Sequence, residues 1–145
     1  MKRDIFRLSF SYMQSKKRNT YANFNIGYLS TRDKALRKIE EYCLLPGFCD
    51  HPKSGFDIKK YTVDVRGDEN AEDLAVYAIC GEYDLNDEVT VIVEYPPVCG
   101  TRERDARFEK LKRRRRSIRR NEIFYTDMFV VDKSFDWSEG FFFSP

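Results

Sequence analysis

One short segment of the chain groups residue types that can do chemistry. Cys49, Asp50 and His51 are adjacent, and His51 is the only histidine in the sequence. A thiol, a carboxylate and an imidazole could bind a metal ion or form an activated cysteine nucleophile. Three adjacent side chains in an extended or turning segment converge poorly on one metal ion, and a nucleophile also needs an orienting group and an oxyanion donor. We therefore expect a structural loop here, with no catalytic residue, metal site or cofactor.

Other catalytic motifs are absent from the sequence. There is neither a Gly-rich phosphate loop nor a G-x-S-x-G turn. The four cysteines are spaced 6, 31 and 19 residues apart, which matches no common zinc pattern. Binding is therefore the expected function, and the chain is not predicted to be an enzyme.

The most prominent candidate for binding is a run of basic residues. Its members are Lys110, Lys112, Arg113, Arg114, Arg115, Arg116, Arg119 and Arg120. On a helix, adjacent arginines spread around the axis and leave only a thin apolar stripe. Such a surface could bind nucleic-acid phosphates or an acidic protein partner. Alternatively, the ten carboxylates between Asp64 and Glu94 neutralise it within the fold.

The C-terminal segment is the second candidate for binding. It contains Trp137 and the run Phe141-Phe142-Phe143. If these aromatic side chains are exposed, they form a patch suited to a partner protein or to a homodimer. If they are buried, they cover an edge of the core and fix the last segment in place. We expect core packing for most of the tail and retain Trp137 as a candidate binding residue.

Composition indicates a single compact domain spanning residues 1–145. Aromatic residues make up 15% of the chain, which supplies enough apolar area for a core. The net charge is +2, although basic and acidic residues are concentrated in different segments. No run of about 18 apolar residues suggests a membrane span, and the N-terminus does not resemble a signal peptide. We expect a soluble cytoplasmic protein without a membrane partner.

Hydrophobic periodicity predicts the order strand, strand, helix, strand, and then the same order again. The predicted elements are 4–13, 21–29, a helix from Ser30 or Thr31 to before Pro46, 56–65, 74–83, 88–95, 102–120 and 123–131. Pro96-Pro97 is expected to end the fifth strand. The predicted fold class is α+β, with two β-β-α-β units at residues 1–66 and 74–145. The second unit includes the aromatic tail. These units are expected to form an antiparallel or mixed sheet with two helices packed on one face. Either an internal duplication or two unrelated halves with the same order of strands and helix would account for this repeat.

Two groups of residues resemble those of a small bacterial family. The first group is Gly27-Tyr28-Leu29-Ser30-Thr31, Ala35, Leu45-Pro46-Gly47-Phe48, Asp50, Pro52, Gly55-Phe56, Ile58 and Tyr61, and the second is Trp137-Ser138-Glu139-Gly140-Phe141. In that family the W-x-E-G-F ending follows the third strand directly. The resemblance therefore implies that the segment from about residue 66 to residue 135 is a duplicated unit or an insertion. It carries no catalytic residues.

Some members of that family resemble products of loci that pair a toxin with its immunity protein. The resulting hypothesis is a non-enzymatic protein-binding module, of the immunity type, that neutralises a cognate toxin. The alternative is a nucleic-acid-binding protein that uses Lys112 to Arg120 as a phosphate clamp. An enzyme is the third reading, and Cys49 with His51 is the only place for its site.

Overall fold

A computed structural model describes residues 1–17, 20–65, 74–84, 86–87, 90–118 and 122–142, without the side chains of Ser15, Thr20 and residues 114–118. The strands and helices are β1 (Lys2–Ser15), β2 (Thr20–Leu29), α1 (Arg32–Tyr42), β3 (Phe56–Asp64), β4 (Ala75–Asp84), β5 (Thr90–Cys99), α2 (Thr101–Ile118) and β6 (Ile123–Val130). Two short 3-10 turns, Phe48–Asp50 and Lys53–Gly55, lie between α1 and β3. The predicted order of strands and helices is confirmed.

The chain divides into two compact units. The first unit contains residues 4–62 and 131–145, and the second contains residues 1–3 and 63–130. Each has a three-stranded antiparallel sheet with its earliest strand in the centre, in the orders β2-β1-β3 and β5-β4-β6. The α+β class and the two similar units are confirmed, and the described strands are divided between two sheets. The tail, which the sequence grouped with residues 74–145, belongs to the first unit.

Helix α1 closes the first unit because its apolar residues recur at helical spacing. Thr31 is the N-cap, and its Oγ1 accepts a hydrogen bond of 3.1 Å from the Lys34 N–H. Ala35, Ile39 and Tyr42 are buried on the side that faces the sheet. The buried residues of the first-unit core are Leu8, Phe10, Ile26, Leu29, Ala35, Ile39, Tyr42, Phe48 and Phe141.

Each unit carries a bulge near the end of its second strand. The pairing changes from Leu8–Gly27 to Ser9–Asn25 in the first unit, so β2 has one extra residue there. In the second unit, Tyr77 pairs with Val98 and Ile79 pairs with Tyr95, so the extra residue is in β5. Matching bulges are a detailed likeness between the two units.

The second bulge corrects the predicted end of β5. This strand continues through Pro96-Pro97 to Cys99. Both prolines lie within the bulge, and β5 is an edge strand of its sheet. A proline at a bulge or an outer edge need not donate a ladder hydrogen bond, so the strand tolerates it.

Helix α2 packs on the second sheet through few apolar side chains. Leu111 is buried and Phe108 is half-buried against Tyr77, Ile79 and Val98. Among the described residues, the helix contacts β4 and β5 more than β6. No helix in the described part of the chain is both long and apolar enough to cross a membrane.

The two motif segments behind the family resemblance contact each other in the first unit. The Phe141 N–H donates a hydrogen bond of 2.9 Å to the Pro46 carbonyl. Gly47 has φ +82° and Gly140 has φ +84°. A Cβ at Gly47 would collide with the Phe141 carbonyl oxygen, and a Cβ at Gly140 would collide with the Pro46 carbonyl oxygen. Both glycines are therefore required by their φ angles and by the close approach of two backbones.

Replacing Gly47 with Ala should lower the free energy of unfolding by at least about 1–2 kcal/mol, the cost of a left-handed conformation for an L-residue. The collision with Phe141 adds to that cost. Chemical denaturation checks this, and the exposed Leu44→Ala substitution is the control, expected to change stability by under about 0.5 kcal/mol. Equal stability of Gly47→Ala and the parent would contradict the interlocked geometry.

Candidate functional site

The beginning of the basic run lies on the exposed side of α2. Lys110, Lys112 and Arg113 are exposed, while Leu111 between them is buried against the second sheet. The single buried leucine thus holds three cations toward solvent. The ion pairs found among the described residues do not include these three side chains.

The rest of the basic run can be located only in part. The backbone of Arg114, Arg115 and Arg116 continues α2, but their side chains lie outside the described atoms. Arg119 and Arg120 fall outside the described residues. The proposed neutralisation by carboxylates between Asp64 and Glu94 also falls partly outside them, since residues 66–73, 85 and 88–89 are not described. The neutralisation therefore stays a prediction.

A groove of about 710 Å³ adjoins α2 in the second unit. Its described lining consists of Asp105, Phe108, Glu109, Lys112, Ile123 and Phe124. Two aromatic rings and one isoleucine supply apolar surface, while two carboxylates and one ammonium group supply charge. This volume falls within the usual range for ligand sites in proteins.

Glu122 is a buried carboxylate that the sequence analysis missed. It is 2% exposed, and Oε1 accepts a hydrogen bond of 2.8 Å from the Tyr95 hydroxyl. A Cβ at Gly81 would collide with that same oxygen. The glycine in the middle of β4 was the available signal, because glycine within a strand often marks a close approach by another group. Glu122 is the only buried charged residue among those described.

Trp137, which the sequence predicted as a binding residue, has a well-defined ring contact and a partly exposed side chain. Its indole stacks on the Phe24 ring at a centroid distance of 4.2 Å and an interplanar angle of 17°, yet 42% of the residue is exposed. Its φ is +62°, which is uncommon for a bulky side chain. Phe142 is 84% exposed, whereas Phe141 is buried. We call Trp137 and Phe24 the aromatic surface.

The tail therefore divides between the two predicted outcomes. Phe141 packs into the first-unit core, as expected for most of the tail, while Trp137 and Phe142 are exposed. Phe143 lies outside the described residues. In the described part of the tail, one aromatic ring, that of Phe141, is thus buried, and those of Trp137 and Phe142 are exposed.

Asp132 fixes the start of the tail to α1. Its carboxylate accepts hydrogen bonds from the Ser30 N–H at 2.8 Å, the Ser30 hydroxyl at 2.6 Å and Lys34 Nζ at 3.0 Å. Burial would raise the pKa of Asp132, but the bonds from Ser30 and Lys34 outweigh it and hold the pKa below its ordinary value of 3.8. Its φ of +65° is a conformation that Asp adopts more readily than most residues.

Further along, the tail is held through backbone groups. The Tyr42 hydroxyl donates a hydrogen bond of 2.8 Å to the Asp136 carbonyl, and the Asp136 N–H donates one of 2.8 Å to the Ile26 carbonyl. Burial raises the pKa of Tyr42 to about 12, with smaller contributions from the charges of Asp136 and Glu41. The phenol is therefore protonated at neutral pH and able to donate.

A pocket of about 240 Å³ lies beside these anchors in the first unit. Its described lining is Leu29, Lys34, Arg37, Lys38, Glu41, Asp132 and Phe135. Lys34 pairs with Asp132 at 3.0 Å, and Lys38 pairs with Glu41 at 3.0 Å. Lys38 Nζ also lies 4.1 Å from the centre of the Phe135 ring. These cations therefore serve to join the tail to α1.

The Cys49-Asp50-His51 segment forms part of an aromatic stack. His51 stacks on Tyr12 at a centroid distance of 4.2 Å and lies nearly parallel to Phe141 at 6.0 Å. Cys49 is exposed, with its Sγ 3.8 Å from Asp50 Oδ1. Among the described residues, no group of three or more His, Cys, Asp and Glu side chains could hold a metal ion. The contacts of His51 are those of a packing residue.

Comparison with known proteins gave no match: no family model, no curated protein and no solved structure corresponds to this chain. The resemblance described above therefore rests on its motifs and stays a prediction.

Replacing Asp132 with Asn should lower the free energy of unfolding at neutral pH by about 1–3 kcal/mol, because charge-assisted hydrogen bonds are lost. Asn also tolerates positive φ, so the substitution changes mainly the charge. Because the folded state lowers the pKa of Asp132, its stabilisation is present above the unfolded pKa and is lost as pH falls through the folded pKa. The difference from the parent should therefore shrink below about pH 4.

Urea unfolding over a pH series measures this difference. Asp57→Asn replaces an exposed carboxylate in the same unit and is the control. A difference that stayed constant down to the lowest pH at which both proteins fold would rule out the proposed role of the Asp132 charge.

Proposed function

We propose that this chain is a non-enzymatic protein-binding module whose main contact is the aromatic surface. The exposed indole of Trp137 carries the proposal. Tryptophan is enriched among the few residues that dominate binding energy at protein interfaces. Phe142 adds a second large apolar side chain that solvent reaches almost completely.

The backbone at Trp137 supports this proposal independently. A bulky residue at positive φ costs roughly 1–3 kcal/mol, and such positions often coincide with functional sites. Two contacts stabilise this backbone conformation. The Gly140 N–H donates a hydrogen bond of 2.9 Å to the Trp137 carbonyl, and the Phe24 ring stacks on the indole. A rigid, pre-positioned anchor loses little entropy when a partner binds.

The partner that we propose is a cognate toxin, which the protein neutralises as an immunity-type protein in the bacterial cytoplasm. This finer proposal draws on the motif resemblance. In this chain the Leu45–Phe48 loop contacts the W-x-E-G-F segment that contains Trp137, through the hydrogen bond from the Phe141 N–H to the Pro46 carbonyl. Neutralisation by binding needs no catalytic residue.

Nucleic-acid binding through α2 is the second candidate function. The exposed side chains of Lys110, Lys112 and Arg113 favour it, since each could neutralise a phosphate. We rank it second because Asp105 and Glu109 line the same groove as Lys112. Those carboxylates would repel a phosphate backbone placed against that side of the helix.

Changing Trp137 to Ala should reduce capture of a protein partner from nuclease-treated host lysate by about 30-fold or more, the effect of losing a dominant interface residue. Mass spectrometry with quantified bait measures the loss, and circular dichroism confirms folding. Ile92→Ala removes a 64% exposed apolar side chain from the second unit and is the control. Undiminished capture by folded Trp137→Ala would contradict the proposal.

The nucleic-acid alternative predicts a different result. Reversing Lys110, Lys112 and Arg113 to Glu should weaken binding to a labelled single-stranded oligonucleotide and flatten its dependence on salt between about 50 and 200 mM. Fluorescence anisotropy measures both effects. The triple reversal of the exposed Lys16, Lys17 and Arg32 to Glu in the first unit is the control, because it changes the net charge by the same amount. Equal affinities of the parent and the triple variant would exclude α2 as a phosphate clamp.

A further inference from the structure

The groove in the second unit has a counterpart in the first unit that is filled. In the first unit, Leu45 and Phe48 of the loop after α1 pack with Phe56 and Ile58 of β3. The ring of Phe48 occupies the space between α1 and β3, since it lies 5.3 Å from the Tyr42 ring of α1 and 5.6 Å from the Phe56 ring of β3. Phe141 of the tail meets the Phe48 ring edge-on at 4.9 Å.

Among the described residues of the second unit, no segment comparable to the loop after α1 fills the groove. Residues 43–55 connect α1 to β3 and include the packing loop, whereas only residues 119–122 connect α2 to β6. The tail that follows β6 belongs to the first unit. What remains beside α2 is a groove with Phe108 and Phe124 in its lining.

We propose that this groove binds an extended segment of the protein partner, with an aromatic side chain inserted between α2 and β6. In the first unit, the space between the helix and the third strand holds the aromatic ring of Phe48. Burying one more aromatic ring against Phe108 and Phe124 removes a large apolar area from water. The inference rests on the proposed function, because the segment is assigned to a protein partner.

The charges around the groove refine the partner's chemistry. Asp105 and Glu109 lie on successive turns of α2 and both line the groove, with Lys112 as the only cation in its described lining. A basic residue beside the inserted ring would meet Glu109 and also Asp105, whose Oδ1 already accepts a hydrogen bond of 3.1 Å from Arg104 Nε. The segment that fits best is therefore aromatic and basic.

A second copy of this chain is a poorer occupant. In each copy the tail is already held, because the Phe141 N–H bonds to Pro46 and the Asp136 N–H bonds to Ile26. Phe141 is buried there, so among the described tail residues beyond it only Phe142 could reach another molecule. An external segment has no such competing site.

Peptide binding to the full-length protein tests the groove directly. The probe is a fluorescent peptide with the sequence of residues 134–142, which contains four aromatic side chains. A second peptide carries Lys in place of Asp136 and Glu139. We expect both peptides to bind, the basic one more tightly, and Ile123→Arg to weaken binding about 10-fold or more by placing a long charged side chain in the groove.

The control variant is matched closely. Ile92 and Ile123 are 64% and 66% exposed, and both pair with Glu82 across the same sheet. Only Ile123 lines the groove, so Ile92→Arg should leave peptide binding unchanged. Both isoleucines are exposed, so neither substitution should unfold the protein.

Three results would overturn the inference: neither peptide binds, Ile123→Arg binds as the parent does, or both arginine variants lose binding equally. Self-association of the parent that Ile123→Arg abolishes, measured by analytical ultracentrifugation, would assign the groove to a second copy and also overturn it. The assay needs no natural partner. If the peptides fail to bind but the partner protein is still captured from lysate, only the groove inference is contradicted. If the peptides bind in the groove but no protein is captured, the proposed function is contradicted.

Discussion

The packing of Phe141 against the Leu45–Phe48 loop is the interaction on which the first unit depends. The Phe141 ring contacts Tyr12, Phe24 and Phe48, so a single residue of the tail packs against both the sheet and the loop. Two glycines at positive φ allow the two backbones to approach, and the hydrogen bond between Phe141 and Pro46 fixes their register. Since these segments are almost a hundred residues apart, the first unit cannot complete its core until the second has been synthesised.

The second unit uses the same topology with a different closure. Its central strand, its strand order and the bulge in its second strand repeat those of the first unit. In the described part of the second unit, the buried cluster that includes α2 consists of Tyr77, Ile79, Val98 and Leu111. A helix with as many charged residues as α2 cannot present a wide apolar face to its sheet. The same fold therefore gives a unit closed by its own tail and a unit with an open groove.

The sequence predicted what local chemistry determines, and it failed where distant segments meet. A helix cap at Ser30 or Thr31 and the alternation along the strands depend on neighbouring residues, so both could be predicted, and the structure shows Thr31 as the cap. Pro96-Pro97 was misjudged because tolerance of proline depends on sheet position and a bulge. The tail was assigned to the wrong half because adjacency in sequence favoured residues 74–145. Asp132 and Glu122 could not be identified from the sequence, because their hydrogen-bond partners lie in distant segments. Asp132 bonds to Ser30, and Glu122 bonds to Tyr95.

The position of Trp137 follows from these long-range contacts. Asp132 ties the chain to Ser30 at the start of the tail, and Phe141 ties it to Pro46 near the end. Between two fixed points, the backbone has few routes, and the route taken puts Trp137 at positive φ with its ring on Phe24. If burial of the indole were the only requirement, 42% of the residue would not be left in water. The two attachments of the tail therefore leave the Trp137 side chain partly exposed in a fixed position, which is the arrangement that the proposed binding role requires.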